Sequence, residues 1–276
     1  MLDGLEQLPP DSILGLAAAA RADTNPDKVD LTVGIYMDET GVCPVFNAVR
    51  RAQQALVAEE TSKAYLPPAG PEDFNTGMRS LVFGADSAAL SDARVSSISA
   101  PGGCGALRIG AEIINAANPG ARVWVSDPTW PVHIPLLGSV GLQFETYRYY
   151  DAATHGVDFD AMVDDLGRAQ AGDVVLLHGC CHNPCGADLS IDQWTTIADM
   201  AERQGFMPFV DVAYQGLGDG LDEDAAGIRL LAQRLPEMIV AASCSKNMGL
   251  YRERTGIAMF LCQNADNANA LLSQAA

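Results

Sequence analysis

The chain has 276 residues, of which 48% are apolar and 19% charged, a globular balance with enough length for one large α/β domain or two smaller ones. Its formal net charge of −18 and pI near 4.4 repel phosphate backbones and anionic lipid, which argues against nucleic-acid and membrane-surface partners. No apolar run reaches the length of a membrane span. The opening MLDGLEQLPPDSILGL lacks the basic-then-apolar order of a signal peptide, and the seven scattered cysteines read as reduced thiols of a cytoplasmic protein.

The first residues, to about position 12, carry no periodicity and are expected to form an arm. Asp11 is placed to cap a short helix ending near Arg21. Leu31–Met37 reads as a strand, followed by a turn at Glu39-Thr40-Gly41. Phe46–Glu60 has helical spacing at Val49, Ala52, Ala55 and Leu56. From there strands and helices alternate. Strands are expected at 93–100, 122–126, 143–149, 174–178, 209–212, 239–243 and 256–262. Helices are expected at 105–117, 131–137, 159–166, 191–204 (capped by Ser190) and 223–234. This rhythm predicts a mostly parallel sheet with helices on both faces, in which ligands sit beyond the carboxyl ends of the strands.

Five strand exits carry residues with chemistry. Pro101-Gly102-Gly103-Cys104-Gly105 leads into a helix and suits a phosphate, although a tight turn is an equal reading. In SDPTWPVH, Trp130 stands at a helix head, where it can cover a flat ligand or serve as packing. HGCCHNPCG crowds His178, Cys180, Cys181, His182 and Cys185 together. A metal is set aside there because adjacent cysteines should diverge and no second ligand pair follows, so the turn is read as presenting Asn183. Asp211, inside an apolar strand, needs either a cation or a local partner, and Tyr214 follows it three residues later. Lys246 is one of three lysines and directly follows an apolar strand. Burial would hold its amine neutral and ready to condense with an aldehyde.

Taken together, HGCCHNPCG, DVAYQG and SCSKNMGLYRER make the chain resemble the class I, fold-type I pyridoxal-phosphate-dependent aminotransferases, in the aspartate/aromatic amino acid group, along essentially its whole length. The resemblance implies residues 1–12 as an arm, 13–44 as the start of a small domain and 45–276 as the cofactor-binding large domain. It implies Lys246 as the amine that carries pyridoxal phosphate and moves a proton. Asp211 would pair with the ring nitrogen, backed by His133. Tyr214 and Asn183 would contact the ring's phenolic oxygen, and Trp130 would stack on the ring. Gly103, Cys104, Ser243 and Arg254 would surround the phosphate, and Tyr65, in TSKAYLPPAG, would reach the phosphate of the other subunit of a homodimer. Gly34, with Trp130 and Asn183, would line the substrate site. The implied reaction passes an amino group from aspartate or an aromatic amino acid to a 2-oxo acid such as 2-oxoglutarate, with a slight lean towards aromatic donors.

Three positions depart from the family's usual residues: Cys104 and Cys185 stand where threonine is common, and Cys244 where an aromatic is. Family members also continue well beyond Ala276, so a C-terminally truncated, catalytically impaired remnant lacking most of the small domain and its substrate-clamping arginines is the competing expectation.

Overall fold

The computed structural model describes residues 12–32 and 34–276. The expected arm, the Asp11 cap and Val33 lie outside them. The chain divides into two compact units between Val45 and Phe46. The first contains helix α1 (Ser12–Ala22) followed by irregular chain. Lys28 Nζ donates to the carbonyls of Ala20 and Asp23, at 2.5 and 2.6 Å. The expected turn forms as Asp38 Oδ1 accepts from the Thr40 and Val42 N–H groups at 2.9 and 3.0 Å. The strand expected over 31–37 does not form. Leu31, Thr32 and residues 34–37 are irregular, no strand among the described residues pairs with them, and Leu31 is exposed. An apolar run without a ladder partner leaves its N–H and C=O groups to water and has no reason to extend.

The second unit opens with α2 (Asn47–Glu59), which buries none of its residues. Two helices absent from the sequence reading come next, α3 (Glu72–Phe83) and the single turn α4 (Ala88–Ser91). The alternating part then runs β1 (Val95–Pro101), α5 (Gly102–Ala117), β2 (Arg122–Asp127), α6 (His133–Gly138) and β3 (Gln143–Arg148). A small hairpin, β4 (Tyr150–Asp151) and β5 (Gly156–Val157), leads to α7 (Phe159–Leu166), β6 (Val174–His178), α8 (Ile191–Gln204) and β7 (Met207–Val212). The chain closes with α9 (Ala226–Arg234), β8 (Met238–Ser243), β9 (Thr255–Leu261) and α10 (Ala265–Ala275). As the sequence predicts, Ser190 caps α8, in a reciprocal capping box with Gln193.

One seven-stranded sheet results, in the order β1-β9-β8-β7-β6-β2-β3. Only β9 runs against its neighbours, so the sheet is mostly parallel and helices cover both faces. Side chains alternate between two cores. Val210, Val212, Val240 and Ala242 pack on the side of Trp194, Ile197 and Ile228. Phe209, Ile239 and Ala241 pack on the side of Ala106, Leu107 and Ala111, in α5. Each fully buried Val, Leu, Ile or Phe contributes about 1.5–3 kcal/mol to this arrangement. Helix α5 lies close because a Cβ on Gly110 would sit 2.5 Å from the Phe209 ring. The same alternation puts Asp211 and Ser243 on the α5 face, at the carboxyl ends of neighbouring strands.

Candidate active site

A cleft opens beyond the carboxyl ends of β6, β7 and β8, beside the first turn of α5. Its lining includes Gly103, Cys104, Trp130, Asn183, Asp211, Tyr214, Ser243, Lys246 and Arg254. Residues from five separate strand exits thus meet in one place, because the parallel strands all deliver their chain to the same edge.

Asp211 occupies one end. His133, fully buried, holds Nε2 at 3.0 Å from Asp211 Oδ2. Thr129 Oγ1 lies 2.8 Å from His133 Nδ1 and 3.2 Å from His178 Nε2, and the Asn183 N–H donates to His178 Nδ1 at 3.4 Å. The arrangement that uses each donor once runs in a single direction. Asn183 N–H donates to His178, His178 to Thr129, Thr129 to His133, and His133 to the Asp211 carboxylate. Burial, then His182 and His133, hold the His178 pKa well down, so its ring is neutral as this chain requires. His182 stacks on His178 at 3.9 Å between ring centres, and burial lowers its pKa to about 4. Its ring also meets Ser126 Oγ at 2.9 Å and Cys185 Sγ at 3.1 Å and stacks on Tyr149 at 4.2 Å between ring centres.

Lys246 follows β8 on the tight path Ser243-Cys244-Ser245. Burial lowers the pKa of its amine, partly opposed by Asp211 and Cys104 and assisted by Arg254. Nζ stands 5.0 Å from the centre of the Tyr214 ring. Burial also raises the Tyr214 pKa, while a hydrogen bond with the Asn183 side chain pulls the other way. An amine with a lowered pKa, a protonated phenol and an amide thus face one space.

The far end is built for an anion. Helix α5 starts at Gly102, so the glycines form its first turn, not a loop ahead of it as the sequence reading has it. The first-turn N–H groups have no carbonyl partner within the helix. Gly102, at φ +74°, leaves room for Arg254: a Cβ there would lie 2.7 Å from Arg254 Nη2. A Cβ on Gly103 would meet Ser243 Cβ at 3.3 Å. Arg254 Nη1 donates to the Tyr251 carbonyl at 3.1 Å, which aims the guanidinium.

Two sequence-derived residues are not among those that line this cleft. Tyr65 is fully exposed and does not line the cleft. Gly34 belongs to the first unit, with open space where a Cβ would be. The cleft also contains Ser245, Tyr251, His178 and Cys180, which the sequence reading assigns no part in it. Ser245 and Tyr251 lie inside SCSKNMGLYRER, so their position next to Lys246 was the available signal. The expectation that Cys180 and Cys181 diverge is corrected. Cys181 adopts φ +49°, and the two thiols and an Asp224 carboxylate oxygen lie within 4.8 Å of one another.

Comparison with known proteins agrees along the whole chain. Residues 26–276 match the family model described as aminotransferase class I and II. The chain is 50% identical over 276 residues to an aromatic-amino-acid aminotransferase of Paracoccus denitrificans, covering 100% of this chain and 69% of that protein. It is 45% identical over 274 residues to the aspartate aminotransferase of Escherichia coli K12, covering 99% and 69%. Among solved structures it is similar to an aromatic amino acid aminotransferase with 3-indolebutyric acid, with TM-score 0.96 and 48% identity over 100% of this chain and 69% of that one. It is equally similar in fold to the Burkholderia pseudomallei aromatic-amino-acid aminotransferase covalently bound to pyridoxal phosphate, with TM-score 0.96 and 40% identity, covering 100% and 69%.

Proposed function

The chain belongs to the class I and II aminotransferases, and on that premise we propose that its cleft binds pyridoxal phosphate and moves an amino group between an amino acid and a 2-oxo acid. One observation carries the reading: a sheltered amine, a histidine-backed carboxylate and a glycine-lined cationic cradle share a single cleft. These donors fit the cofactor end for end. The space bounded by Gly103, Cys104, Ser243 and Arg254 suits the phosphate, and Asp211 suits a protonated ring nitrogen. When bound, pyridoxal phosphate supplies an aldehyde and an electron-withdrawing ring.

The chain's own residues do the rest. Lys246, its pKa lowered by burial, presents more neutral amine near pH 7 than an exposed lysine, both to bond the aldehyde and to carry a proton. Asp211 holds the proton on the ring nitrogen, and the buried His133 N–H keeps the carboxylate from turning away. Tyr214 and Asn183 would hold the phenolic oxygen, and Trp130 would shelter the ring from water. Gly103, Cys104, Ser243 and Arg254 bind the phosphate. We place Tyr65 at the phosphate of a second subunit. Its complete exposure and the unburied surface of α2 support a homodimer in which that subunit covers them. Aspartate and aromatic amino acids are the proposed donors and 2-oxoglutarate the acceptor, in a cytosolic setting that suits seven free thiols.

The test is an absorbance titration of the chain with pyridoxal phosphate across pH, set beside Lys246→Ala. A pH-sensitive imine band present only in the parent is expected. The same band in Lys246→Ala would sink the assignment.

A further inference from the structure

Behind the cleft, between its floor and the turn leading into α9, lies a group of ligating atoms with no part in the chemistry above. We propose that the Cys180 and Cys181 thiols, with a carboxylate oxygen of Asp224, form a binding site for a soft divalent cation of the zinc and cadmium kind.

The geometry comes from the backbone. Successive side chains diverge in a strand or helix, but Cys181 takes the left-handed conformation at φ +49°, and its side chain turns to the same side as that of Cys180. All three donor atoms fall within 4.8 Å of one another. A tetrahedral ion with metal–sulfur bonds of about 2.3 Å needs its sulfurs roughly 3.8 Å apart, so closure takes at most about 1 Å of side-chain movement. Cys180 is buried, whereas Cys181 is partly open and gives an ion its path in. Two thiolates and an oxygen select a thiophilic ion over magnesium or calcium.

The surrounding charge points the same way. Three carboxylates gather around the thiols: Asp188 and Asp224 beside both, and Asp219 beside Cys181. Asp188 is itself fixed by the N–H groups of Cys181 and His182, at 2.6 and 2.8 Å. Negative charge gathered on one side of the two sulfurs favours a cation there, and binding it displaces the thiol protons. Asp224 cannot swing aside. Its oxygens accept from the N–H groups of Gly216, Gly218, Asp219 and Gly220. Those bonds occupy its lone pairs, so an ion must take the place of one of them, the longest being Gly220 N–H at 3.4 Å; the thiolates therefore supply most of the affinity, while the carboxylate supplies charge and direction. Cys180 also lines the cofactor cleft, so an ion here lies directly behind it.

The experiment titrates the metal-free, cofactor-loaded chain with cadmium alone. It follows the thiolate-to-metal charge-transfer band and the protons released. One ion per chain is expected, with two protons released near pH 7. Cys180→Ser and Cys181→Ser should each weaken binding by roughly a hundredfold or more, taking the upper end of what loss of a supporting group alone costs a metal site as the floor. Cys43→Ser, in the first unit, should bind like the parent. Circular dichroism and the urea-unfolding midpoint certify that the serine variants are folded. Binding unchanged in either serine variant, or release of fewer than two protons, overturns the site. Undiminished binding by Asp224→Asn overturns its third donor.

Discussion

Substituting Gly102 by alanine tests the anion cradle through a residue that has no side chain of its own. Gly102 sits at φ +74°, and an added Cβ would lie 2.7 Å from Arg254 Nη2 and 3.0 Å from its Cζ. The change has two separable effects. The left-handed backbone costs a residue with a side chain about 1–2 kcal/mol, which lowers the melting temperature with or without ligand by roughly 2–4 °C per kcal/mol for a chain of this size. The contact cannot persist at 2.7 Å, so the guanidinium must retreat from the phosphate position. A charge-assisted hydrogen bond contributes about 1.5–3 kcal/mol, and about 1.4 kcal/mol is a factor of ten, so the Kd for pyridoxal phosphate should rise roughly 10- to 150-fold. The assay is a spectroscopic titration of cofactor-free protein for Gly102→Ala, Arg254→Ala and the double variant. Because the alanine acts by displacing Arg254, the double variant should bind little worse than Arg254→Ala alone. Parent-like affinity in Gly102→Ala, or two losses that simply add, would refute this reasoning.

Two further outcomes follow from named contacts. Cys104→Thr exchanges a weak thiol donor for a hydroxyl in the first turn of α5 and should tighten cofactor binding about 2- to 10-fold in the same titration. Asp173 concerns stability: burial pushes its pKa up, but Arg122, at 2.7 Å, Trp124, at 3.0 Å, and the Gln170 N–H outweigh it, and the net pKa falls below the ordinary 3.8. A lowered folded-state pKa means the contribution is complete above the unfolded value and fades as pH falls through 3.8 towards the folded one. Urea denaturation of parent and Asp173→Asn should therefore show a stability gap of about 1–2 kcal/mol, because Arg122 is partly open to water, that is constant from pH 7 to pH 5 and narrows below about pH 4; a gap that widened on acidification would contradict it.

How much of this molecule was legible beforehand depended on whether a residue's surroundings are local. β6, β7 and β8 announced themselves as apolar runs closed by polar residues, and the strand-exit rule then gathered Asn183, Asp211 and Lys246 into one region. Leu31–Met37 shows the opposite case, since apolar content says nothing of whether a partner strand exists. The glycines at 102, 103 and 105 looked like a loop because glycine disfavours helix interiors. In the fold they are the first turn of α5, where close approach to Pro101, Ser243 and Arg254 leaves no space for side chains. Cys181 was misjudged for the same kind of reason: side-chain direction follows backbone dihedral, and no spacing pattern reports a single left-handed residue.

Asp211 marks the limit most clearly. A carboxylate inside an apolar strand is visible as an anomaly, and the anomaly is informative because burying it unpaired is costly. Yet β7 is apolar on both faces, as strands inside a parallel sheet are, so alternation cannot tell which face the carboxylate joins. Only the folded sheet shows that Asp211 shares a side with Phe209 and α5, and that the buried His133, 78 positions earlier in the chain, meets it there. The sequence could flag an unsatisfied charge, but its partner depended on how β2, α6 and β7 stack. That is why the resemblance, and not the spacing, supplied His133, and why Thr129 and His178, which complete the hydrogen-bonded path from Asn183 to Asp211, came to light only with the fold.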